Sequence, residues 1–116
     1  MNRHTDIVQA TTNSAKGISH GVRGRNFRIL IFVGTATLVL AFWFPLTTTE
    51  RIIVSLLIGF MLSAELFNSA IEELCDVVTT EENPGIGRAK EMAAGAVMGL
   101  GITAIIIGTF IFIPYL

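Results

Sequence analysis

Apolar residues form three long runs in this chain, separated by polar or turn-forming residues. The first run covers residues 29–46 and the third covers 92–116, eighteen and twenty-five residues without a charge. The second is uncharged from residue 52 to residue 64 and then continues in helical register while becoming acidic. Because a helix needs about 20 apolar residues to cross a bilayer, the first and third runs predict membrane spans directly. With the second run extended into its acidic part, transmembrane helices are predicted over 29–46, 52–76 and 90–114.

The segment ahead of the first run has the pattern of a weak amphipathic helix over residues 5–25. Its apolar residues Val8, Ala15, Ile18 and Val22 fall on one helical face. The glycines in this segment weaken the helix by about 1 kcal/mol each relative to alanine. We expect the segment to lie in the membrane interface, and a mobile basic tail is the alternative.

Composition supports a membrane protein of one domain, residues 1–116. Hydrophobic residues make up 52% of the 116 residues and charged residues 15%, whereas soluble domains are about 25% charged. A net charge of −1 gives no electrostatic reason to expect a nucleic-acid partner. The single cysteine, Cys75, excludes an intrachain disulfide. The predicted fold class is therefore an all-α membrane protein with three transmembrane helices and an N-terminal surface helix.

Lysine and arginine are distributed unevenly around the three runs. Five lie before the first run, two lie between the second and third, and Arg51 alone lies between the first and second. Seven of the eight therefore fall on one side of the membrane, the side that the positive-inside rule assigns to the cytoplasm. We expect a multi-pass protein of the bacterial inner membrane with a cytoplasmic N-terminus.

The acidic part of the second run carries a polar stripe. On a helix, Glu65, Asn68, Glu72 and Asp76 lie within about 80° of one another, and Glu73 points to the side. Glu65 follows Arg51 by about 21 Å of helix, which places it inside the inner leaflet. A carboxylate at that depth costs about 2.5–3.5 kcal/mol, so a functional role is the favoured explanation.

The stripe passes from a buried acid to acids at the wet end of the helix. This order suits a group that acts on a lipid headgroup beside a water-soluble partner. For the outermost acids a simpler alternative is a solvated helix terminus without further function. Those acids are Glu73, Asp76, Glu81 and Glu82.

The beginning of the third run has glycines, a lysine and a predicted helix start. Residues 83–85 are typical of a turn, and residues 85–91 lack the spacing of a P-loop. Backbone N–H groups at a helix N-terminus together with Lys90 can bind phosphate, and a glycine hinge is the alternative. The Gly95-x-x-x-Gly99 pattern further on predicts close helix packing.

Together these residues resemble the prokaryotic integral-membrane diacylglycerol kinase and undecaprenol kinase family. The resemblance is carried by Glu65-x-x-Asn68-Ser69-Ala70-Ile71-Glu72-x-x-x-Asp76 and by residues 89–97, with fourteen residues from Asp76 to Lys90. It covers nearly the whole chain. The ending Ile111-Phe112-Ile113-Pro114 is more similar to the undecaprenol kinase branch.

The resemblance implies a homotrimer that phosphorylates a membrane lipid alcohol with ATP and Mg²⁺, at sites shared between neighbouring chains. By position, Glu65 corresponds to the general base, Asn68 to the asparagine beside it, and Glu72 to a metal-binding carboxylate. Positions expected to contact the nucleotide are Asn13, Lys16, Glu72, Asp76, Glu81, Glu82, Asn83, Lys90 and Glu91. Positions expected to contact the lipid are Ser14, Gly17, Asn26, Phe27, Arg28, Glu65 and Ala94.

One position departs from the family pattern. Gly24 stands where the family places a second metal-binding glutamate, two residues before Asn26. We expect lower metal affinity with Glu72 alone, unless Asp76 or Glu73 helps to hold the ion. Magnesium binds mostly through ATP phosphates plus one or two carboxylates, so a weakened or altered activity is compatible with the loss. The alternatives are a non-catalytic membrane assembly protein of the same fold and a subunit of a small proton-coupled multidrug transporter. Neither the residues nor the resemblance decides between diacylglycerol and undecaprenol.

Overall fold

A computed structural model describes residues 3–79 and 81–116, which are helical almost throughout and contain no strand. Three of the helices, one of them continued by a short 3₁₀ turn, are long and apolar enough to cross a membrane. The predicted all-α fold with three such helices is confirmed. The elements are α1 (Arg3–Gly21), α2 (Arg25–Trp43), α3 (Thr48–Val78), α4 (Pro84–Phe112) and the 3₁₀ turn Ile113–Tyr115.

The connection between α2 and α3 is short because both helix ends are locally encoded. Phe44 precedes Pro45 and is extended, which ends α2. Thr47 and Glu50 then form a capping box: the Glu50 N–H donates to the Thr47 hydroxyl at 3.1 Å, and the Thr47 N–H donates to the Glu50 carboxylate at 2.9 Å. The two helices consequently form an antiparallel hairpin.

The beginning of α4 differs from the sequence prediction. Asn83 is the N-cap, and Pro84 and Gly85 already belong to the helix, so the predicted turn over residues 83–85 is wrong. Proline suits the first helical position because its φ is fixed near the helical value and its missing N–H is not needed there. Lys90 therefore lies almost two turns inside α4 and not at its N-terminus.

The apolar core lies at the end of the bundle where α2 passes into α3, here called the α2–α3 end. Its buried residues are Ala41, Leu46, Val54 and Ile111. The rings of Phe44 and Phe112 pack beside this core edge to face, with centroids 6.1 Å apart.

Polar contacts close the same end. Arg51 donates from Nε to the Ala41 carbonyl at 2.9 Å and from Nη2 to the Phe44 carbonyl at 3.2 Å. The Tyr115 hydroxyl donates to Glu50 at 2.6 Å. The C-terminal end of α4 is thereby tied to the first turn of α3.

Glycines set two of the contacts that α3 makes. A Cβ added at Gly34 of α2 would lie 2.9 Å from Ile58 Cγ2, so these helices approach closely there. A Cβ at Gly21 would collide with the end of the Leu66 side chain. Gly21 is the buried residue of α1, which otherwise stays largely exposed.

The small-residue face of α4 around Gly95 and Gly99 contacts no other element among the described residues. At Gly95 and Gly99 an added Cβ would meet no atom of the described chain within 4 Å. Helix packing at this face, as the sequence predicts, therefore has no partner in the described part of the same chain. Gly101 instead faces α3, where an added Cβ would lie 3.7 Å from Met61 Cε.

Candidate active site

The polar stripe of α3 passes from the interior of the bundle to its surface. Glu65 and Asn68 are each 6% exposed, whereas Glu72 and Asp76 are exposed. The gradient from a buried acid to exposed acids, predicted from helical spacing, is therefore observed. Glu65 and Asn68 are the buried polar side chains of the described residues.

Asn68 connects the buried and exposed parts of the stripe. Its Nδ2 lies 3.4 Å from Glu72 Oε1 as a long hydrogen bond. Its Oδ1 is buried and accepts no hydrogen bond from the described chain. A buried acceptor without a partner costs about 1–3 kcal/mol. A ligand hydroxyl or a protonated carboxyl group is a donor that would remove this cost.

A cavity of about 620 Å³ lies at the opposite end of the bundle from the apolar core, where α3 passes into α4. We call this the α3–α4 end. The volume is within the range of about 300–1,000 Å³ that is common for small-molecule sites. The cavity brings together five residues predicted from the sequence and four others. Its lining residues are Asp76, Thr79, Glu81, Glu82, Asn83, Pro84, Ile86, Gly87 and Lys90.

Lys90 and Asp76 form an ion pair across the cavity. Lys90 Nζ lies 2.6 Å from Asp76 Oδ1, and the two side chains are 39% and 68% exposed. The fourteen residues between them bridge α3 and α4, which places an ammonium group beside the acids. Exposed ion pairs contribute little net stability, so Lys90 can exchange Asp76 for an incoming anion at low cost.

The cavity as a whole is acidic. Asp76, Glu81 and Glu82 line it together with a single cation, Lys90. A polyphosphate would meet a repulsive field there unless a cation accompanies it. The cavity therefore favours an anion that arrives with its own counter-ion.

Several of the predicted site residues lie outside this cavity. In α1, Asn13 accepts a hydrogen bond from Gln9, and Ser14 donates to the Ala10 carbonyl. Phe27 is 6% exposed, so its ring packs inside the bundle. The predicted residues outside the cavity lining are Asn13, Ser14, Lys16, Gly17, Asn26, Phe27, Arg28, Glu65, Asn68, Glu72, Glu91 and Ala94.

Thr79 is a cavity residue that the sequence analysis missed. It is the C-cap of α3, and its hydroxyl accepts a hydrogen bond from the Glu81 N–H at 3.0 Å. A threonine directly after an acidic helix end is the available signal, since hydroxyl residues often bond to the backbone two positions on.

The backbone of Gly24 has an extended conformation that any residue type can adopt. Gly24 is the N-cap of α2 with φ −72° and ψ 136°. An added Cβ would lie 3.2 Å from the Gly21 carbonyl oxygen, so a side chain at this position requires a local shift of a few tenths of an ångström. The backbone therefore does not require glycine here.

The described residues contain no group of three or more histidine, cysteine, aspartate or glutamate side chains placed to hold a metal ion. Isolated carboxylates such as Glu72 are present instead. This donor set fits an ion whose remaining ligands come from a bound phosphate chain, because Mg²⁺ commonly takes only one or two protein carboxylates.

Comparison with known proteins identifies the family of this chain. The prokaryotic diacylglycerol kinase family model matches residues 12–112. An undecaprenol kinase of Bacillus subtilis is 41% identical over 111 residues, which are 95% of this chain and 90% of the relative. Diacylglycerol kinases of Haemophilus influenzae and Escherichia coli are 28% and 29% identical over 93% and 88% of this chain, and these matches cover 93% and 84% of the two relatives. The chain therefore belongs to the prokaryotic diacylglycerol kinase family and is a lipid kinase of the membrane.

Proposed function

We propose that this kinase transfers the γ-phosphate of MgATP to the hydroxyl of a membrane lipid alcohol, diacylglycerol or undecaprenol, at the cytoplasmic face of the inner membrane. One observation carries the proposal. A buried acid and amide share one helical face with acids that lead to an open cavity containing Lys90. This order lets a hydroxyl in the membrane meet a phosphate donor in water.

Glu65 is the proposed general base. It accepts the proton of the lipid hydroxyl while that oxygen attacks the γ-phosphorus and the bond to ADP breaks. Its burial suits this task, because a lipid hydroxyl reaches only as far as the headgroup region and water competes poorly for the carboxylate there. Positioned general bases contribute about 10²- to 10⁴-fold to rates.

Asn68 is proposed to orient the reacting groups. Its unpartnered Oδ1 can accept a hydrogen bond from the protonated carboxyl group of Glu65 once the proton has moved. Its Nδ2 meanwhile holds Glu72 through the long hydrogen bond described above. Asn68 thereby links the residue that takes the proton to Glu72, the next carboxylate of the polar stripe.

Lys90 is proposed to neutralise the phosphates. Phosphoryl transfer depends mainly on positioning and charge stabilisation, and an ammonium group supplies both. To bind the phosphates, Lys90 leaves its partner Asp76. The free-energy cost of breaking this ion pair is small, because both side chains are exposed to solvent. Glu81, Glu82 and Glu91 remain proposed nucleotide contacts.

Glu72 is the proposed protein ligand of magnesium. When bound, Mg²⁺ neutralises charge that develops on the β- and γ-phosphates. The acidic lining of the cavity favours a cation that accompanies ATP, because the nucleotide alone would be repelled there. With Gly24 at the position of the expected second glutamate, the chain offers one fewer carboxylate to that ion.

A homotrimer with shared sites is the proposed assembly. The predicted site residues of α1 and the first turn of α2 lie outside the cavity of their own chain, as expected if they serve a neighbour's site. Exposed small residues along α3, namely Ser55, Gly59 and Ser63, line a groove that suits close helix packing.

The test is phosphate transfer from labelled ATP in mixed micelles, with diacylglycerol and undecaprenol offered separately and Mg²⁺ titrated. Transfer to one of the lipids supports the proposal and identifies the acceptor. The Gly24 departure motivates the second candidate, a non-catalytic assembly protein. Folded protein that transfers phosphate to neither lipid at any Mg²⁺ concentration would favour that candidate.

A further inference from the structure

Asn83 uses its side-chain oxygen to begin α4. Asn83 Oδ1 accepts hydrogen bonds from the backbone N–H groups of Gly85 and Ile86, at 2.9 Å and 3.3 Å. The first N–H groups of a helix have no partner within the helix, and an asparagine cap supplies one. The acceptor atom of Asn83 is therefore committed to the helix, although the residue lines the cavity.

Thr79 caps the other helix end that borders the cavity, the C-terminal end of α3. It ends α3, where its N–H donates to the Cys75 carbonyl at 3.2 Å, and its hydroxyl accepts from the Glu81 N–H at 3.0 Å. The second bond fixes the direction in which the chain leaves α3. It therefore determines where Glu81 enters the cavity wall.

We propose that Asn83 and Thr79 are positioning residues for the nucleotide. They close the two helix ends that frame the cavity and act on ATP through Lys90 and Glu81, without a contact of their own. The inference rests on the proposed kinase function and revises one part of it, since the family resemblance implies a direct nucleotide contact for Asn83.

The route from Asn83 to the phosphates runs along α4. Lys90 follows Pro84 by six residues, which is about 9 Å of helix. The cap determines where α4 begins and keeps its first turn from fraying, so it holds Lys90 opposite Asp76. Loss of the cap should weaken ATP binding more than it slows the chemical step.

Two substitutions at Asn83 separate a cap from a ligand. Asn83→Ser keeps a good cap and removes the amide, whereas Asn83→Gln keeps the amide on a longer side chain that caps poorly. We expect Asn83→Ser to leave the KM for ATP within about twofold of the original value, and Asn83→Gln to raise it about fivefold with a smaller change in kcat. The reverse order would show that the amide contacts the nucleotide and would overturn the proposal.

Two substitutions at Thr79 form a matched pair of variants. Thr79→Ser keeps the hydroxyl, whereas Thr79→Val keeps the shape of the side chain and loses the acceptor. Only Thr79→Val should raise the KM for ATP, by about three- to fivefold. Equal behaviour of the two variants would remove Thr79 from the proposal.

Hydrogen exchange of the full-length protein in micelles without nucleotide provides a readout that does not depend on kinase activity. The amides of Gly85 and Ile86 should exchange several-fold faster in Asn83→Gln than in Asn83→Ser, because the cap protects them. Equal exchange in both variants would overturn the cap assignment. Absence of phosphate transfer by the original protein would instead overturn the proposed function, and the exchange result would still decide the role of Asn83.

Discussion

Glu65 is an acid held inside a bundle that contains few other polar groups. Among the described residues, Glu65 and Asn68 are the only buried polar or charged side chains. A carboxyl group at membrane depth is costly, and membrane proteins keep such groups mainly for function. Glu65 and Asn68 are therefore the side chains whose burial most needs a functional explanation.

The variant Glu65→Gln should reduce kcat by about 10²- to 10⁴-fold and leave the affinity for ATP nearly unchanged, because it removes the proton acceptor but keeps the shape. Phosphate transfer in mixed micelles and equilibrium ATP binding measure the two quantities. Glu73→Gln is the matched control, since Glu73 is an exposed acid of the same helix outside the polar stripe. Full activity of Glu65→Gln would show that another group takes the proton.

Gly24 allows a gain of function at a single position. Gly24→Glu should lower the Mg²⁺ concentration needed for half-maximal transfer several-fold, because it adds a carboxylate where the conformation of the backbone is open to any residue. Gly24→Gln has the same size without the charge and should leave the Mg²⁺ requirement unchanged. If both variants respond alike, the effect comes from packing and not from metal binding.

At the scale of elements, α3 is longer than the hydrocarbon core of a bilayer is thick, so one helix can have an apolar part in the membrane and a polar part in water. Its 31 residues span about 46 Å, whereas the hydrocarbon core is about 30 Å thick. The apolar part of α3 is too short to cross alone, but the helix continues through the acidic residues without a break. We therefore expect the acids near its end to lie in the headgroup layer or beyond it.

The contact between α2 and α3 depends on Gly34. Gly34→Ala should lower the free energy of unfolding by about 1–3 kcal/mol, because the new methyl group meets the stiff β-branched side chain of Ile58 at 2.9 Å. Thermal unfolding in detergent measures the change. Gly108→Ala is the control, since an added Cβ at Gly108 meets no atom of the described chain within 4 Å.

A double variant tests the cause of this destabilisation. Gly34→Ala combined with Ile58→Ala should lose less stability than the sum of the two single variants. The shortened side chain at position 58 leaves room for the new methyl group, and that methyl group fills part of the space which the isoleucine occupied. Additive losses would show that the α2–α3 contact is not limited by this pair.

At the scale of the whole molecule, the two ends of the bundle have different tasks. The α2–α3 end contains the apolar core, the aromatic contact and the hydrogen bonds of Arg51 and Tyr115. The α3–α4 end contains the cavity, and α3 and α4 are joined there by the exposed ion pair of Lys90 and Asp76. The apolar core cluster therefore lies at the opposite end of the bundle from the candidate site.

Tyr115→Phe tests this division. It removes the hydroxyl that donates to Glu50, so the unfolding temperature in detergent should fall, by less than for Gly34→Ala. The KM for ATP should not change, because the cavity lies at the opposite end of α4. A shift in KM without a fall in unfolding temperature would show that the two ends are coupled.

The sequence by itself determined the helical class, the number of spanning helices and the polar stripe of α3. These follow from local chemistry: the length of an apolar run and the 3.6-residue period do not depend on what packs nearby. The order of burial from Glu65 to Asp76 belongs to the same group, because it follows the position of each residue along one helix.

Only the tertiary structure decided how the ends of the helices are used. The predicted turn at residues 83–85 is a separate, local difference: Asn83 caps α4 and Pro84 begins it, because the cap satisfies free N–H groups of the first helical turn. Thr79 became a cavity residue and Phe27 a buried one through contacts between elements distant in sequence. The pairing of Lys90 with Asp76 likewise requires α3 and α4 to lie side by side, which helical periodicity alone does not specify.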